Sequence, residues 1–204
     1  MSTALLSVKN LCYLSNGPYS FDVHEKSVLG LTGPSGIGKT QMLRALAESI
    51  VFTGELRLKE SLSTEFSAPM WRKKIGLVPA ESAWWCKTVA EHFTSPKGEI
   101  SINGLLADVG FSRDILSWKI SRLSTGEKQR LALVREMMVD PTILLLDEPC
   151  SALDKDSVFR VEALIKKFYS RSQKAVIWVS HDLKQLERVA TSSYRVLADR
   201  LELL

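Results

Sequence analysis

The 204-residue sequence predicts an α/β protein with a largely parallel core sheet. Three observations predict it. Val28–Thr32, Ile143–Leu146 and Ala175–Val179 are short, compact apolar runs, the pattern of strands covered on both faces. Between them lie segments whose apolar residues recur three and four apart, the period of a helix with one buried face. No internal repeat, low-complexity tract or long linker breaks the alternation.

In chain order, Leu5–Val8 and Leu11–Leu14 read as short strand material, Asn16–Pro18 as a turn, and Tyr19–Val23 as a second alternating strand. Val28–Thr32 is a buried strand that enters a glycine-rich loop. Beyond Lys39, the spacing of Met42, Leu43, Leu46, Ala47 and Ile50 predicts a helix. Glu55–Lys59 alternates strictly, as a half-buried strand does, and Ile75–Val78 is a further strand ended by Pro79. Residues 83–121 read as helical and, lying between core strands, as a small lobe that continues with the next helix to residue 138. That helix, Ser124–Val139, places Leu131, Val134, Arg135 and Met138 on one stripe. Ser157–Tyr169 and Leu183–Val189 are helices, and the last fifteen residues predict two edge strands.

The length suits one substantial core with a small satellite lobe, so residues 1–204 read as a single domain. Lys and Arg total 27 against 23 Asp and Glu, a net charge of +4. This excess suits nucleic acid or an anionic membrane surface without choosing between them. No stretch approaches the roughly 20 apolar residues of a spanning helix. Met1–Lys9 lacks the basic-then-apolar layout of a signal peptide, so a cytoplasmic product is expected. Cys12, Cys86 and Cys150 are odd in number and far apart, which indicates neither a disulfide framework nor a thiolate metal site.

Gly33-Pro34-Ser35-Gly36-Ile37-Gly38-Lys39-Thr40 follows a predicted strand and precedes a predicted helix, the setting a Walker A phosphate loop requires, and Gln41 is counted with it as nucleotide-binding. Its glycines let successive backbone N–H groups turn inward around an anion, and the helix presents its positive end. Lys39 is suited to span the β- and γ-phosphates and the Thr40 hydroxyl to ligate Mg²⁺. Asp147 and Glu148 end an apolar strand and therefore stand at the carboxyl edge of the sheet, where the phosphate loop also opens. Asp147 is suited to hold Mg²⁺ through water, and Glu148 to orient and polarise the attacking water. His181 follows Ala175–Val179, and the same edge places it by the γ-phosphate as a hydrogen-bond contact, not as the primary base.

With these motifs in this order, the chain resembles the nucleotide-binding subunits of ATP-binding-cassette (ABC) transporters over nearly all its length. The resemblance implies a P-loop NTPase with an N-terminal antiparallel β subdomain and a small helical lobe bearing the family signature. Here that signature is Leu123-Ser124-Thr125-Gly126-Glu127, followed by Lys128-Gln129-Arg130. By resemblance, Ser124, Thr125, Gly126 and Glu127 read the γ-phosphate of ATP held by the opposite subunit; an ordinary N-capped helix is the competing reading. Ser151-Ala152-Leu153-Asp154 resembles the D-loop that crosses the dimer interface. Tyr13 corresponds to the aromatic residue that stacks on adenine, with a core tyrosine at a strand edge as the alternative. The family's glutamine after the Ile-Gly-x-Val strand is replaced: Ala80 stands there and Glu81 follows. Either Glu81 swings in as a Mg²⁺ ligand or water takes the place. Trp84 and Trp85 suit a groove for a membrane partner or packing within the lobe.

The resemblance thus implies an ATPase using ATP and Mg²⁺. It implies a homodimer formed with ATP, or a heterodimer with a related ATPase, that powers a separately encoded transmembrane permease from the inner face of the membrane. Val176–Asp182 and the compact build resemble the iron-export type. Direct nucleic-acid binding is not expected, because chromosome-type and translation-type relatives need coiled-coil insertions or tandem cassettes that 204 residues do not hold. A soluble ABC machine on nucleic acid or ribosomes, and a non-hydrolysing regulatory partner, are the competing functions.

Overall fold

The apolar runs become the centre of a six-stranded sheet. In the computed structural model, which describes residues 4–93 and 101–204, β3 (Val28–Thr32), β7 (Ile143–Asp147) and β8 (Ala175–Val179) are buried at every residue. With β6 (Ile75–Val78), β9 (Ser192–Val196) and β10 (Leu201–Leu203) they form the order β10-β9-β3-β8-β7-β6. All neighbours are parallel except β9 and β10, which pair antiparallel. Only β10 and β6 are therefore edges. The expectation of two C-terminal edge strands is corrected for β9, which pairs with β3 through Leu29–Thr32.

A second sheet, order β2-β1-β4-β5, is antiparallel throughout and comprises β1 (Leu6–Tyr13), β2 (Asn16–Val23), β4 (Thr53–Leu58) and β5 (Ser61–Leu62). The turn between β1 and β2 falls at Leu14 and Ser15, two residues earlier than the expected Asn16–Pro18. Leu14 holds a left-handed φ of 52°, and the Gly17 amide donates to Ala198 O (2.8 Å), so Asn16–Pro18 is drawn into the strand. Helix α1 (Lys39–Leu46) packs between the sheets, burying Met42, Leu43 and Leu46 as its spacing predicts.

Residues 83–93 do not form the expected helix, and 94–100 lie outside the described residues. Helix α2 (Ala68–Lys74) precedes β6; the lobe beyond it holds α3 (Ile102–Asp108) and three short 3₁₀ turns. A side chain organises the segment instead of a ladder. His92, buried, accepts the amides of Trp85 and Cys86 at Nε2 (2.9 Å each), while its Nδ1 lies 2.9 Å from Thr88 O. Both Trp84 and Trp85 rings meet His92 edge-on at 4.8 Å. Arg135, on helix α4 (Thr125–Met137), lies over both indoles and donates to Ala83 O. Helices α5 (Lys155–Tyr169) and α6 (Leu183–Val189) complete the cover of the core sheet.

Candidate active site

The parallel strands deliver their carboxyl ends to one edge, where the predicted residues meet. The phosphate loop leaves β3 and turns into α1 with Gly38 at a φ of 103°. A Cβ at Gly38 would stand 2.9 Å from Asn16 Nδ2 and 3.3 Å from Tyr13 Cε2, so a side chain has neither the backbone conformation nor the room. Lys39 is buried and donates to Gly33 O (2.8 Å) and Pro34 O (3.0 Å). Burial lowers its pKa, while Glu148 and Asp147 act in the opposite sense.

Thr40 Oγ1 donates to Asp147 Oδ2 at 2.9 Å, joining the helix start to the end of β7. Glu148 follows with a left-handed φ of 48°, and its amide donates to Val179 O (3.1 Å). Its Oε1 is buried without a hydrogen-bond partner, and His181 Nε2 lies 3.4 Å away. Burial, reinforced by the Asp147 charge, pushes the Glu148 carboxyl up to about 7, against the pull of Lys39 and the His181 amide. A carboxylate that is short of partners and titrates near neutrality suits a base for water.

These groups line a cleft of 390 Å³ with Ser35, Gln41 and Arg44. A larger groove of 680 Å³ between Glu25, Lys59 and Lys74 lies at the amino ends of the core strands and carries none of the predicted site residues.

The structure separates the other predicted residues from this cleft. Ser124 caps α4 reciprocally: its Oγ accepts from the Glu127 amide (3.2 Å), and Glu127 Oε2 accepts the Ser124 amide (2.8 Å). Thr125 opens that helix. A Cβ at Gly126 would stand 2.7 Å from Ala152 O, so glycine lets the signature helix touch the Ser151–Asp154 loop. Asp154 caps α5 through the Ser157 amide (3.0 Å), and this bond holds its carboxyl below the usual range. Glu81 is exposed after β6 and does not line the cleft; Ala80 is exposed beside it.

Tyr13 is corrected. Its ring is 2% exposed and stacks on Tyr19 at 5.8 Å, which leaves no open face for a base. The core alternative describes it, because β1 turns position 13 toward the interior and burial raises its phenol pKa.

Gln129 is the residue whose role the motif reading missed. It is buried, its Nε2 donates to Glu148 O (2.7 Å), and its Oε1 accepts the Ala152 amide (3.4 Å). One side chain on the signature helix therefore holds both the Glu148 backbone and the following loop. A long polar residue among the buried positions of α4 was the signal available.

The family model described as ABC transporter matches residues 17–151, from β2 through phosphate loop, signature and carboxylate pair. This chain belongs to the ABC transporter family. It is 33% identical over 169 residues to an aliphatic sulfonates import ATP-binding protein of Frankia alni, covering 82% of this chain and 65% of that one. A Paraburkholderia xenovorans protein of the same description is 34% identical over 180 residues, covering 88% and 68%. A phosphate import ATP-binding protein of Yersinia pestis is 30% identical, covering 84% and 70%. The chain thus spans about two thirds of the length of these relatives. They are import subunits by description and lend no support to the iron-export resemblance.

Two solved structures share the fold. A bacterial Atm1-family ABC exporter with ATP bound superposes with a TM-score of 0.85 at 20% identity, over 99% of this chain and 39% of that one. An ATP-binding cassette solved as a dimer in a post-hydrolysis state with ADP and Pi gives 0.81 at 21%, over 97% and 96%. ATP and Mg²⁺ are the ligands that a phosphate loop facing a carboxylate pair would take. The residues fit both. The loop and Lys39 could hold a triphosphate, and Glu148 Oε1, which has no hydrogen-bond partner, could take a water. Thr40 and Asp147 offer hard oxygens to a metal that keeps water and phosphate ligands. Among the described residues no cluster of three His, Cys, Asp or Glu side chains forms a closed metal cage.

Proposed function

We propose that residues 1–204 form one ABC ATPase domain, with 83–138 as its lobe, that pairs over ATP and drives a separately encoded permease. The observation that carries this reading is the division of the machinery. Lys39, Thr40, Asp147, Glu148 and His181 share one cleft, while Ser124 and Asp154 stand outside it and are joined to it by Gln129. A second copy, or a related ATPase, would supply Ser124 and Gly126 to the γ-phosphate held by the first.

Within each site the phosphate loop and Lys39 orient the triphosphate, and Glu148 accepts the proton of the attacking water as its oxygen bonds to the γ-phosphorus and the bond from that phosphorus to the β–γ bridging oxygen breaks, releasing ADP and phosphate. His181 steadies the γ-phosphate beside it. Thr40 and Asp147 would hold Mg²⁺, which would supply positive charge to offset that of the phosphates.

The membrane side rests on the segment after β6. No helix among the described residues is long and apolar enough to cross a membrane. Trp85 is 70% exposed, beside Arg135, an apolar surface held open on a structured loop. The import relatives support an importer that this chain serves from the cytoplasmic face. Co-expression with a candidate membrane permease tests the reading. The two should co-purify from detergent, and Trp85→Glu should separate them while leaving ATP binding intact. A complex that never forms, with full ATPase activity in the free chain, would refute the coupling.

A further inference from the structure

His181 stands beside Glu148 with little of its own to hold it there. Among the described residues no hydrogen bond fixes its ring, and Glu148 Oε1 lies 3.4 Å from its Nε2 without one. Its place is therefore set by the turn 180–182 that leaves β8. Ser180 is buried, and its amide donates to Leu31 O (3.0 Å). The Ser180 hydroxyl accepts the Asp182 amide (3.1 Å) and donates to Gln185 Oε1 (3.1 Å), so one oxygen joins the two residues that flank His181. Gln185, on α6 and itself buried, carries the chain further: its Nε2 donates to Glu162 Oε1 (3.2 Å) on α5. Arg188 grips both oxygens of that carboxylate, at 2.7 and 3.4 Å.

A primary amide is the side chain this position needs. It offers an acceptor to the Ser180 hydroxyl and a donor to the Glu162 carboxylate. A carboxylate here would oppose Glu162, and an alkyl chain would leave the Ser180 hydroxyl without its acceptor. Gln185 also lies beside the Cys150 thiol, whose pKa burial raises and the Gln185 contact lowers. We propose that Gln185 is a positioning residue for hydrolysis: tied through Glu162 to α5, it holds the turn 180–182 so that the His181 ring stays beside Glu148 at the γ-phosphate. The proposal rests on the role given to His181 above. Gln185 aims the ring and has no part in holding the nucleotide, which falls to the phosphate loop and Lys39.

The test is steady-state ATP hydrolysis by the full chain for Gln185→Leu, His181→Ala and the two combined, with melting curves to check folding. Gln185→Leu should lower kcat by about ten- to a hundredfold and leave KM for ATP unchanged, because a displaced ring is missed in the transition state and not in binding. In the His181→Ala background the same change should cost at most about twofold, since the ring it aims is gone. A carbon–proton NMR spectrum of the imidazoles reads the position itself, with the His181 signal assigned by its loss in His181→Ala. In the wild type that signal should shift when Mg²⁺ and a non-hydrolysable ATP analogue are added, and in Gln185→Leu the shift should be lost. Wild-type turnover in Gln185→Leu, a change confined to KM, or an identical imidazole response would overturn the proposal. So would a loss that persists in full without His181, which would place the effect on Cys150 and the loop after Glu148. Wild-type turnover in His181→Ala would sink the role of His181 itself, and the proposal with it.

Discussion

Replacing Glu148 by glutamine separates its charge from its shape. The carboxyl is raised from an ordinary 4.5 to about 7, which corresponds to about 3 kcal/mol against ionisation in the folded protein. A carboxyl raised in this way binds its proton more tightly folded than unfolded. Wild-type stability should therefore fall as pH rises between about 4.5 and 7, and stay lowered above. Glutamine carries no charge and avoids the penalty. The melting temperatures of the two proteins should be close near pH 4.5, separate through pH 6, and differ by several degrees at pH 8, since 1 kcal/mol moves a domain of this size about 2–4 °C. The 21% exposure of the Glu148 side chain leaves it some solvent, so about 3 kcal/mol is a ceiling. The same change removes the base. Glu148→Gln should bind ATP, lose at least about a hundredfold in turnover, and accumulate as a nucleotide-bound dimer on size exclusion in ATP. In the wild type, kcat/KM for ATP should climb through pH 7 as the carboxyl deprotonates. Near-normal turnover in the variant would remove Glu148 from the base role, and a melting difference independent of pH would refute the burial argument.

Two further substitutions probe residues outside the cleft. Ser124→Arg should leave ATP affinity of the single subunit intact while blocking closure and hydrolysis, with the lost helix cap lowering stability by about 1 kcal/mol; loss of binding in a folded variant would show that Ser124 serves its own site. Glu81→Ala should give a Mg²⁺ titration of ATPase activity superimposable on wild type, since Glu81 lies outside the cleft. A requirement that rises in Glu81→Ala would restore Glu81 as a metal-side ligand.

The site was legible where chemistry depends on local order. The phosphate loop, the carboxylate pair and His181 sit at the carboxyl ends of strands that apolar runs reveal, so fixing the strands fixed the edge where they gather. The misreadings share a different cause. Residues 83–93 carry apolar side chains at spacings that a helix would use, yet the segment is held by His92 accepting two amides and by Arg135 across the lobe, partners that local periodicity does not encode. Tyr13 and Leu14 differ by one position, and which of them meets solvent depends on where β1 ends and the left-handed turn begins. Gln129 looked like one polar residue in a charged run, because its partners lie 19 and 23 residues further along the chain.

The Gln129 clasp makes the catalytic edge answerable to a different part of the molecule. Glu148 is placed by the core sheet, but its carbonyl is held from α4, a helix that also touches the segment carrying Trp84 and Trp85. A small roll of α4 would shift the base and the Ser151–Asp154 loop together, with every catalytic side chain still present. A shift of that kind would slow the site with no inhibitor and no lid, because the contact that carries it is one amide side chain between helix and sheet edge.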